Sequence, residues 1–405
     1  GRASPLVASG VQTPLANSID FMDFELTQEQ RMVLDMARSF AEKQVKPVAG
    51  QMDHDSIFPA ELVTKLGELG LLGVFVPLEL GGSGMDFISY ILALEEISKA
   101  WASLGVIMSL QNSLVCETLL KFGSDAQKRK YLPAVASGQR LGCYALTEPG
   151  AGSDAGAIQT QARKQDDGYL INGSKIFITC GKHANFAIVY AVTDTARGKQ
   201  GISAFIVEKN TPGFSVGKLE DKLGLRASDT TELLFQDCRI PGENLLGAEN
   251  EGFKIALATL DVGRIGIAAQ ALGIAQGCLD QAVAHAQQRQ QFGQPIGNFQ
   301  AIQWMLADMA TEIEAARLLT YHAAVLYQQG EKVAKEAAMA KLFSSEAANR
   351  AAYKAMQIFG GYGYMKDFDV ERLFRDARIT TIYEGTSEIQ HMVIARQLLG
   401  AGGRE

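Results

Sequence analysis

The stretch Tyr169-Leu170-Ile171-Asn172-Gly173-Ser174-Lys175-Ile176-Phe177-Ile178 lies near the middle of the 405-residue chain and decides its fold class. Apolar and β-branched residues stand on both sides of Asn172-Gly173, a dipeptide typical of a tight turn between paired strands. We therefore predict a β-hairpin with its turn at Asn172-Gly173. Further strand candidates over 187–192, 202–207 and 232–235 extend this hairpin into a small β domain.

The sequence before this β region has helical periodicity. Thr27 and Gln30 form a capping box ahead of an amphipathic run, and Pro59 opens a second run. The apolar stretch over 88–120 is predicted to form two helices, because Gly105 interrupts it. The first part of the chain is therefore predicted to be all helical.

The sequence after the β region returns to the helical period. Apolar residues recur there at spacings of three and four, which is typical of the buried seam of a bundle helix. These residues are Phe299, Ile302, Leu306, Met309 and Ile313.

The predicted fold is therefore mainly α with a central β domain. The N-terminal α-helical domain is expected over 24–139, the middle β domain over 140–249 and the C-terminal helical bundle domain over 250–405. Residues 1–23 are expected to be a flexible tail or a cloning remnant, with a transit-peptide remnant as the alternative.

The charge and the scattered ionisable residues argue against several classes of protein. The formal net charge of −7 disfavours binding of nucleic acid, which needs a basic surface. The five cysteines form no Cys-x-x-Cys pair and the five histidines lack ligand spacing, so we expect no metal site. No apolar run reaches the roughly 18 residues of a membrane span, so none is expected. The glycines of 150–156 come near a dinucleotide fingerprint, but the third stands one residue late.

The segment Tyr144-Ala145-Leu146-Thr147-Glu148-Pro149-Gly150-Ala151-Gly152-Ser153-Asp154 is the first of six informative segments. Its glycines allow backbone N–H groups to approach a planar ring or a phosphate, although alone it is only a tight turn. The other five are Phe177-Ile178-Thr179, Leu260-Asp261-Val262-Gly263-Arg264, 289–295 with Phe299-Gln300, 357–363, and Ile382-Tyr383-Glu384-Gly385-Thr386-Ser387-Glu388-Ile389-Gln390. In this order and spacing they resemble the acyl-CoA dehydrogenase family, above all its short-chain (butyryl-CoA) members.

The resemblance implies a fold with a β-barrel-like middle domain and a four-helix bundle, and it implies FAD as the cofactor. The residues implied for FAD binding are Tyr144, Leu146, Thr147, Gly152, Ser153, Phe177, Ile178, Thr179, Arg289, Phe292, Gln300, Gln357, Gly360, Gly361, Thr386 and Glu388. Arg289, Gln300 and 357–361 would reach the FAD of a neighbouring subunit in a homotetramer, a dimer of dimers. Phe177 stands where the family usually has Trp, so the aromatic face is smaller and lacks the indole N–H.

The resemblance also implies the reaction. A base takes the α proton of an acyl-CoA thioester, and a hydride passes to the flavin. Glu384 would be this base, with a pKa raised by burial. The residues implied for substrate binding are Ser153, Asp261, Arg264, Gly385, Gln270 and Thr380. From the residues alone, Asp261 and Arg264 favour an ion pair on a helix surface, and Glu384 has a solvated position before a helix as its alternative.

Three positions bear on the substrate that the resemblance implies. Branched-chain and very long-chain relatives often carry the base at the position of Gly263, which has no side chain to serve. The segment over 105–109 lacks the Arg that holds a second carboxylate in the glutaryl-CoA type. Gln270 and Thr380 match positions that limit pocket size in the short-chain subclass, so a short acyl-CoA is the expected substrate and a trans-2-enoyl-CoA the product.

The expected electron acceptor is an electron-transfer flavoprotein. The expected location is the cytoplasm of a bacterium or the mitochondrial matrix of a eukaryote. A short branched-chain acyl-CoA dehydrogenase and an acyl-CoA oxidase are the alternatives, although oxidases are usually longer. A flavin monooxygenase of the same fold would not retain Glu384 in this context, and a non-catalytic scaffold would lack Glu384 or the flavin contacts.

Overall fold

The first part of the chain is all helical, as its periodicity predicts. The computed structural model describes residues 25–400, so the predicted tail over 1–23 lies outside the described residues, as do 24 and 401–405. The capping box is confirmed, because the N–H groups of Thr27 and Gln30 donate to each other's side chains at 3.0 and 3.2 Å. The helices are α1 (Gln28–Phe40), α2 (Lys46–His54), α3 (Ala60–Glu68), α4 (Phe87–Ala100), α5 (Ala102–Ser109), α6 (Glu117–Phe122) and α7 (Asp125–Ala136).

The long apolar stretch is interrupted at Trp101 rather than at Gly105. Trp101 has extended backbone angles, φ −160° and ψ 108°, between α4 and α5. Gly105 lies inside α5, where a Cβ would come within 3.1 Å of Ser98 on α4. The predicted position of the break was therefore wrong: Gly105 allows two helices to approach closely. A π-helical segment, Leu110–Cys116, then continues α5 into α6.

The middle of the chain forms one eight-stranded sheet. Its order is β6-β7-β3-β2-β4-β5-β8, and β1 pairs in parallel with β4. The strand candidates over 187–192, 202–207 and 232–235 are confirmed as β4, β5 and part of β7. The strands are β1 (Gly142–Ala145), β2 (Gln161–Gln165), β3 (Gly168–Thr179), β4 (Phe186–Val192), β5 (Ile202–Glu208), β6 (Phe214–Leu219), β7 (Thr230–Pro241) and β8 (Leu245–Leu246).

The predicted hairpin turn at Asn172-Gly173 is wrong. Both residues lie inside strand β3, which continues without a turn. The hairpin is formed by β2 and β3, and its turn lies at 166–167. Asn172 instead lies opposite two residues of β7, Gln236 and Asp237, so the register shifts through a bulge in β7, where Asp237 has a φ of +49°. The Asn172 side chain accepts a hydrogen bond from the Asp237 N–H at 2.8 Å. The dipeptide that favours a turn therefore lies within a continuous strand, opposite a bulge in its neighbour.

The last part of the chain is a helical bundle. The predicted seam on α9 is confirmed: Met309 and Ile313 are buried, and the other three residues pack against the core. Helix α8 packs against α4, α9 and α10, so it lies at the centre of both helical regions. The elements are α8 (Gly252–Gln288), β9 (Gln290–Gln291), β10 (Gln294–Pro295), α9 (Gln300–Gln328), α10 (Ala334–Phe359), α11 (Asp369–Ile379) and α12 (Ser387–Leu398). The domain boundaries at 139 and 249 stay predictions.

Two helical runs, Ala102–Phe122 and α8, are long and apolar enough to cross a membrane by length and composition alone. Inside the protein, 94% and 78% of their most apolar windows are buried. Burial of this extent is typical of core helices, and packing within the protein accounts for the composition of both runs.

Candidate active site

Glu384 lies on the segment between α11 and α12, and its side chain points at α8. A Cβ placed on Gly263 would come within 3.0 Å of the Glu384 carboxyl carbon and of Leu114. The missing side chain at Gly263 therefore leaves the space in which the carboxylate lies. Gly263 and Glu384 face the same point in the protein, and only Glu384 has a functional group to place there.

One oxygen of the Glu384 carboxylate is shielded from water. The residue as a whole is half-buried, but its Oε2 is buried and has no hydrogen-bond partner within the described residues. Burial raises the pKa of Glu384 to about 7, although the positive charges of Lys341 and Arg264 pull the pKa down. A carboxyl group of this kind is suited to take up a proton near neutral pH. Burial of Oε2 argues against the alternative of a fully solvated side chain at Glu384.

The backbone of Glu384 and Gly385 is left-handed at both residues, with φ +50° and +94°. Such angles are costly for a residue other than glycine and are found at functional turns. Thr386, the next residue, caps α12 by accepting a hydrogen bond from the Ile389 N–H at 3.3 Å. Glu388 follows inside the first turn of α12 and is exposed.

Arg264 and Asp261 form an ion pair one turn apart on α8. Arg264 Nη1 lies 2.6 Å from Asp261 Oδ1, and the two side chains are only 6% and 27% exposed. The ion pair that the residues alone favoured is therefore present, but it is largely buried rather than on the helix surface. Arg264 Nε is buried with no partner in the described part of the chain. Burial also raises the pKa of Asp261, against the charge of Arg264.

A cavity of about 440 Å³ opens beside Asp261 and Val262. Lys121, Lys332 and Lys335 line it, together with two glutamates. Asp261 and the two glutamates balance the three lysines, so the cavity carries no excess of positive charge. Lys121 and Lys335 are also paired with Glu117 and Glu336, at 2.7 and 3.0 Å.

A buried ion pair between Lys175 of β3 and Glu148 holds the inner side of the glycine-rich segment after β1. Lys175 Nζ lies 2.7 Å from Glu148 Oε1 and donates to the Leu146 carbonyl at 3.0 Å. Glu148 also accepts from the N–H groups of Gln159 and Thr160, at 2.6 and 3.0 Å. The sequence reasoning missed this pair. The alternation of inward and outward side chains along β3 could have revealed it, because this alternation puts Lys175 on the buried face.

The outer side of the same segment is open. A Cβ on Gly150 or Gly152 would meet no atom within 4 Å. Phe177 lies at the second register shift between β3 and β7, with φ +59° and a side chain that is 62% exposed. An open glycine turn beside an exposed aromatic ring fits a planar cofactor. Of the other predicted residues here, Tyr144, Leu146 and Ile178 are buried, Thr147 and Thr179 are half-buried, and Ser153 is exposed.

A second group of predicted cofactor residues lies at the far end of α8. The Arg289 guanidinium lies 5.1 Å from the centre of the Tyr362 ring, and the Phe292 side chain is 93% exposed. Within α8, Gly263 and Gln288 are 25 residues apart, which is about 37 Å at 1.5 Å per residue. One chain therefore does not bring this group to Glu384. Its other members, Gln300, Gln357, Gly360 and Gly361, are all exposed.

Gln270 and Thr380 are both fully buried, and each has its polar atoms satisfied. Gln270 Nε2 donates to the Ala102 carbonyl at 2.9 Å, and its Oε1 accepts from the Tyr383 hydroxyl. Thr380 Oγ1 donates to the Ala377 carbonyl at 2.7 Å. Gln270 thus connects α8, the start of α5 and the residue before Glu384.

Family comparisons cover almost the whole described chain. Residues 27–139 match the N-terminal domain of acyl-CoA dehydrogenases, residues 143–238 the middle domain and residues 250–399 the C-terminal domain. The chain belongs to the acyl-CoA dehydrogenase family. Members of this family are flavin-dependent oxidoreductases, and the open glycine turn and exposed Phe177 of this acyl-CoA dehydrogenase fit such a cofactor.

Two curated proteins are similar to this acyl-CoA dehydrogenase over nearly their full length. The acyl-CoA dehydrogenase of Bacillus subtilis is 56% identical over 375 residues, 93% of this chain and 99% of that protein. The mitochondrial short-chain specific acyl-CoA dehydrogenase of Mus musculus is 53% identical over 379 residues, 94% of this chain and 92% of that protein.

Two solved structures share the fold. One solved structure is described as the electron transferring flavoprotein of Acidaminococcus fermentans, and a chain in it is 52% identical to this chain, with a TM-score of 0.92. The match covers 93% of this chain and 100% of that chain. Butyryl-CoA dehydrogenase from Megasphaera elsdenii is 49% identical, also with a TM-score of 0.92, and the coverage is again 93% and 100%. The three-part fold predicted from periodicity is thereby confirmed.

The protonation of Glu384 sets an expected pH dependence. Only the ionised carboxylate accepts a proton, so kcat/KM should fall about tenfold per pH unit below the pKa of the free enzyme. With that pKa at about 7, the acidic limb of the kcat/KM profile should bend near neutral pH. Steady-state rates with a short acyl-CoA at constant ionic strength measure it. A limb near the ordinary Glu value of 4.5 would contradict the burial argument.

Proposed function

We propose that this protein oxidises short-chain acyl-CoA thioesters to trans-2-enoyl-CoA, with Glu384 as the catalytic base. The observation that carries the proposal is the buried, unpartnered Glu384 Oε2 beside Gly263. A buried carboxylate oxygen without a hydrogen bond among the described residues is costly for the fold, which supports a role in the reaction. Its relatives named for short-chain and butyryl-CoA substrates support the choice of acyl chain.

The proposed cofactor is one noncovalent FAD per chain. The open turn at Gly150 and Gly152, with Phe177 beside it, would hold the flavin ring. Thr386 and Glu388 would contact the same FAD beside the base. A bound flavin supplies the acceptor for the hydride that leaves the β carbon.

The proposed assembly is a homotetramer, a dimer of dimers. Arg289 and Gln357 are too far along the bundle to serve the site of their own chain, by the length of α8. In an assembled protein they would hold the pyrophosphate and adenosine of a neighbour's FAD, because a guanidinium pairs bidentately with phosphate. Each site would then be completed by a second copy of the chain.

The proposed mechanism assigns one task to each group of side chains. The Glu384 carboxylate takes the α proton, while its own backbone N–H donates to the thioester carbonyl and stabilises the developing negative charge. Asp261, Arg264, Ser153 and Gly385 hold the CoA thioester.

The proposed electron acceptor is an electron-transfer flavoprotein, and the similar chain in the Acidaminococcus fermentans structure supports this choice. The exposed ring of Phe177 would lie at the surface that such a partner approaches. We place the protein in the cytoplasm of a bacterium or in the mitochondrial matrix of a eukaryote.

Glu384→Gln should retain FAD and bind acyl-CoA, because it keeps the size of the side chain. It should reduce the rate of flavin reduction by butyryl-CoA at least about 100-fold, the contribution of a positioned base. Anaerobic stopped-flow loss of flavin absorbance measures the rate. Glu79→Gln, at an exposed carboxylate in the first helical region, is the control and should behave as wild type. Near-normal reduction by Glu384→Gln would remove Glu384 as the base.

Arg289→Ala should weaken FAD binding about tenfold or more, because a charge-assisted contact to a phosphate is lost. The FAD-to-protein ratio after gel filtration and the mass by light scattering measure the effect. Wild type should have four times the chain mass of 43.7 kDa. Arg129→Ala, on the exposed face of α7, should change nothing. A stable wild-type monomer with full FAD content would refute the shared site.

Gln270→Ala should move the preferred acyl chain from about four carbons to longer ones. The buried amide limits the pocket, and each extra methylene accommodated is worth roughly 0.8 kcal/mol of burial. Ratios of kcat/KM for butyryl-, hexanoyl- and octanoyl-CoA measure the shift. Gln281→Ala, eleven residues further along α8, is the matched control. A wild-type preference for octanoyl-CoA would end the short-chain assignment and leave the dehydrogenase assignment intact.

A further inference from the structure

The carbonyl oxygens of Glu384 and Gly385 are both held by buried side chains. Gln390, on α12, donates from its Nε2 to the Glu384 carbonyl at 3.2 Å and to the Gly385 carbonyl at 2.8 Å. Lys341, on α10, donates from its Nζ to the Gly385 carbonyl at 2.7 Å. The two donors come from different helices, so they fix the turn relative to the bundle.

Both donors are fully buried, which makes their contacts costly to leave unmade. A lysine is rarely buried without a carboxylate at hydrogen-bond distance, yet the hydrogen bond of the Lys341 ammonium goes to a backbone carbonyl. Gln390 Oε1 is buried and has no partner in the described part of the chain, so this amide is placed for its donor side. Neither contact was visible in the sequence motifs.

We propose that Lys341 and Gln390, the carbonyl clamp, are positioning residues that hold the left-handed turn at Glu384 and Gly385 and so aim the catalytic carboxylate at α8. The inference rests on the proposed role of Glu384. Without the clamp, the strained angle at Glu384 would relax toward the right-handed region that a non-glycine residue prefers. That rotation would turn the carboxylate away from the space left by Gly263.

Lys341 has a second effect that Gln390 lacks, because it carries charge. Its ammonium lowers the pKa of Glu384 from the value that burial alone would give. In return the Glu384 carboxylate raises the pKa of Lys341, which burial lowers to about 8. The other ionisable groups that act on this pair are Arg264 from α8, Tyr90 from α4, Tyr144 from β1, Tyr383 before the turn, and Glu346 and Glu388 from α10 and α12.

Because only Lys341 carries a charge, substitutions of Lys341 and Gln390 should have different effects on the pKa of Glu384. Gln390→Leu removes two neutral donors and should lower kcat about 10- to 100-fold, the effect of misplacing a catalytic group. The pKa of Glu384 should not rise in this variant, because no positive charge is lost and a turned carboxylate is less buried. Lys341→Met removes a donor and a positive charge. It should lower kcat and also raise the pKa of Glu384 by about one unit or more, because an opposite charge is lost. Lys341→Arg keeps the charge and should restore the pKa.

The experiment uses the FAD-loaded holoenzyme and two measurements. The kcat/KM profile against pH with butyryl-CoA gives the acidic limb. The carboxyl stretch of Glu384, from infrared difference spectra against Glu384→Gln, gives its pKa without turnover. Lys354→Met removes a charge 13 residues further along α10, about 20 Å away, and should alter neither. Circular dichroism and FAD content check folding, and Lys341→Gln, which is also neutral, serves if Lys341→Met fails to fold.

A pKa of Glu384 that rises in Lys341→Met and does not rise in Gln390→Leu, with kcat lowered in both, is the expected result. An infrared pKa of Glu384 that is the same in Lys341→Met and wild type would overturn the role of Lys341. Full kcat in Gln390→Leu would overturn the clamp. If wild type oxidised no acyl-CoA but the infrared pKa still rose in Lys341→Met, the proposed function would fail while the effect of Lys341 on Glu384 stood.

Discussion

The structure of the site depends on the close approach of one carboxylate to the backbone of α8. Glu384 lies where a side chain at Gly263 would lie, so helix, turn and base share one small volume. Burial in that volume gives the carboxyl group its raised pKa. The left-handed turn at Glu384, the buried Arg264 and the buried Gln270 beside Tyr383 all surround it. A shift of α8 would disturb each of these at once.

Whereas close packing brings Glu384 to α8, the length of α8 keeps a group of the predicted cofactor residues far from it. The helix packs at one end against the base and at the other carries Arg289, about 37 Å further on. A rigid helix of this length holds the two groups apart and presents the second group at the surface. Tight packing against Glu384 and the proposed sharing of each site between two chains would therefore both follow from this one helix.

Periodicity predicted the three-part fold, because apolar spacing records which faces are buried. The errors were local. Asn172-Gly173 favours a turn, but it lies within β3 opposite a bulge in β7, and only the pairing of the two strands shows this. Gly105 was predicted to separate two helices, whereas its lack of a side chain makes room for Ser98. In the site, a motif predicted Glu384, but the buried Lys175 and Lys341 were missed because charged residues outside a motif are usually at the surface.

The buried lysines of the site differ in how their charge is balanced. Lys175 has Glu148 at 2.7 Å, a permanent partner with no part in the proposed reaction. Lys341 donates to the Gly385 carbonyl, and the carboxylate whose charge acts on it most is that of Glu384. If Glu384 takes a proton as proposed, that charge is lost and Lys341 keeps only the weaker effects of Glu346 and Glu388, which is unfavourable for a buried cation. Protonated Glu384 would thereby be a better acid, which would favour its return to the carboxylate once product forms. The positioning of the base and its recovery after each turnover would then rest on the same side chain.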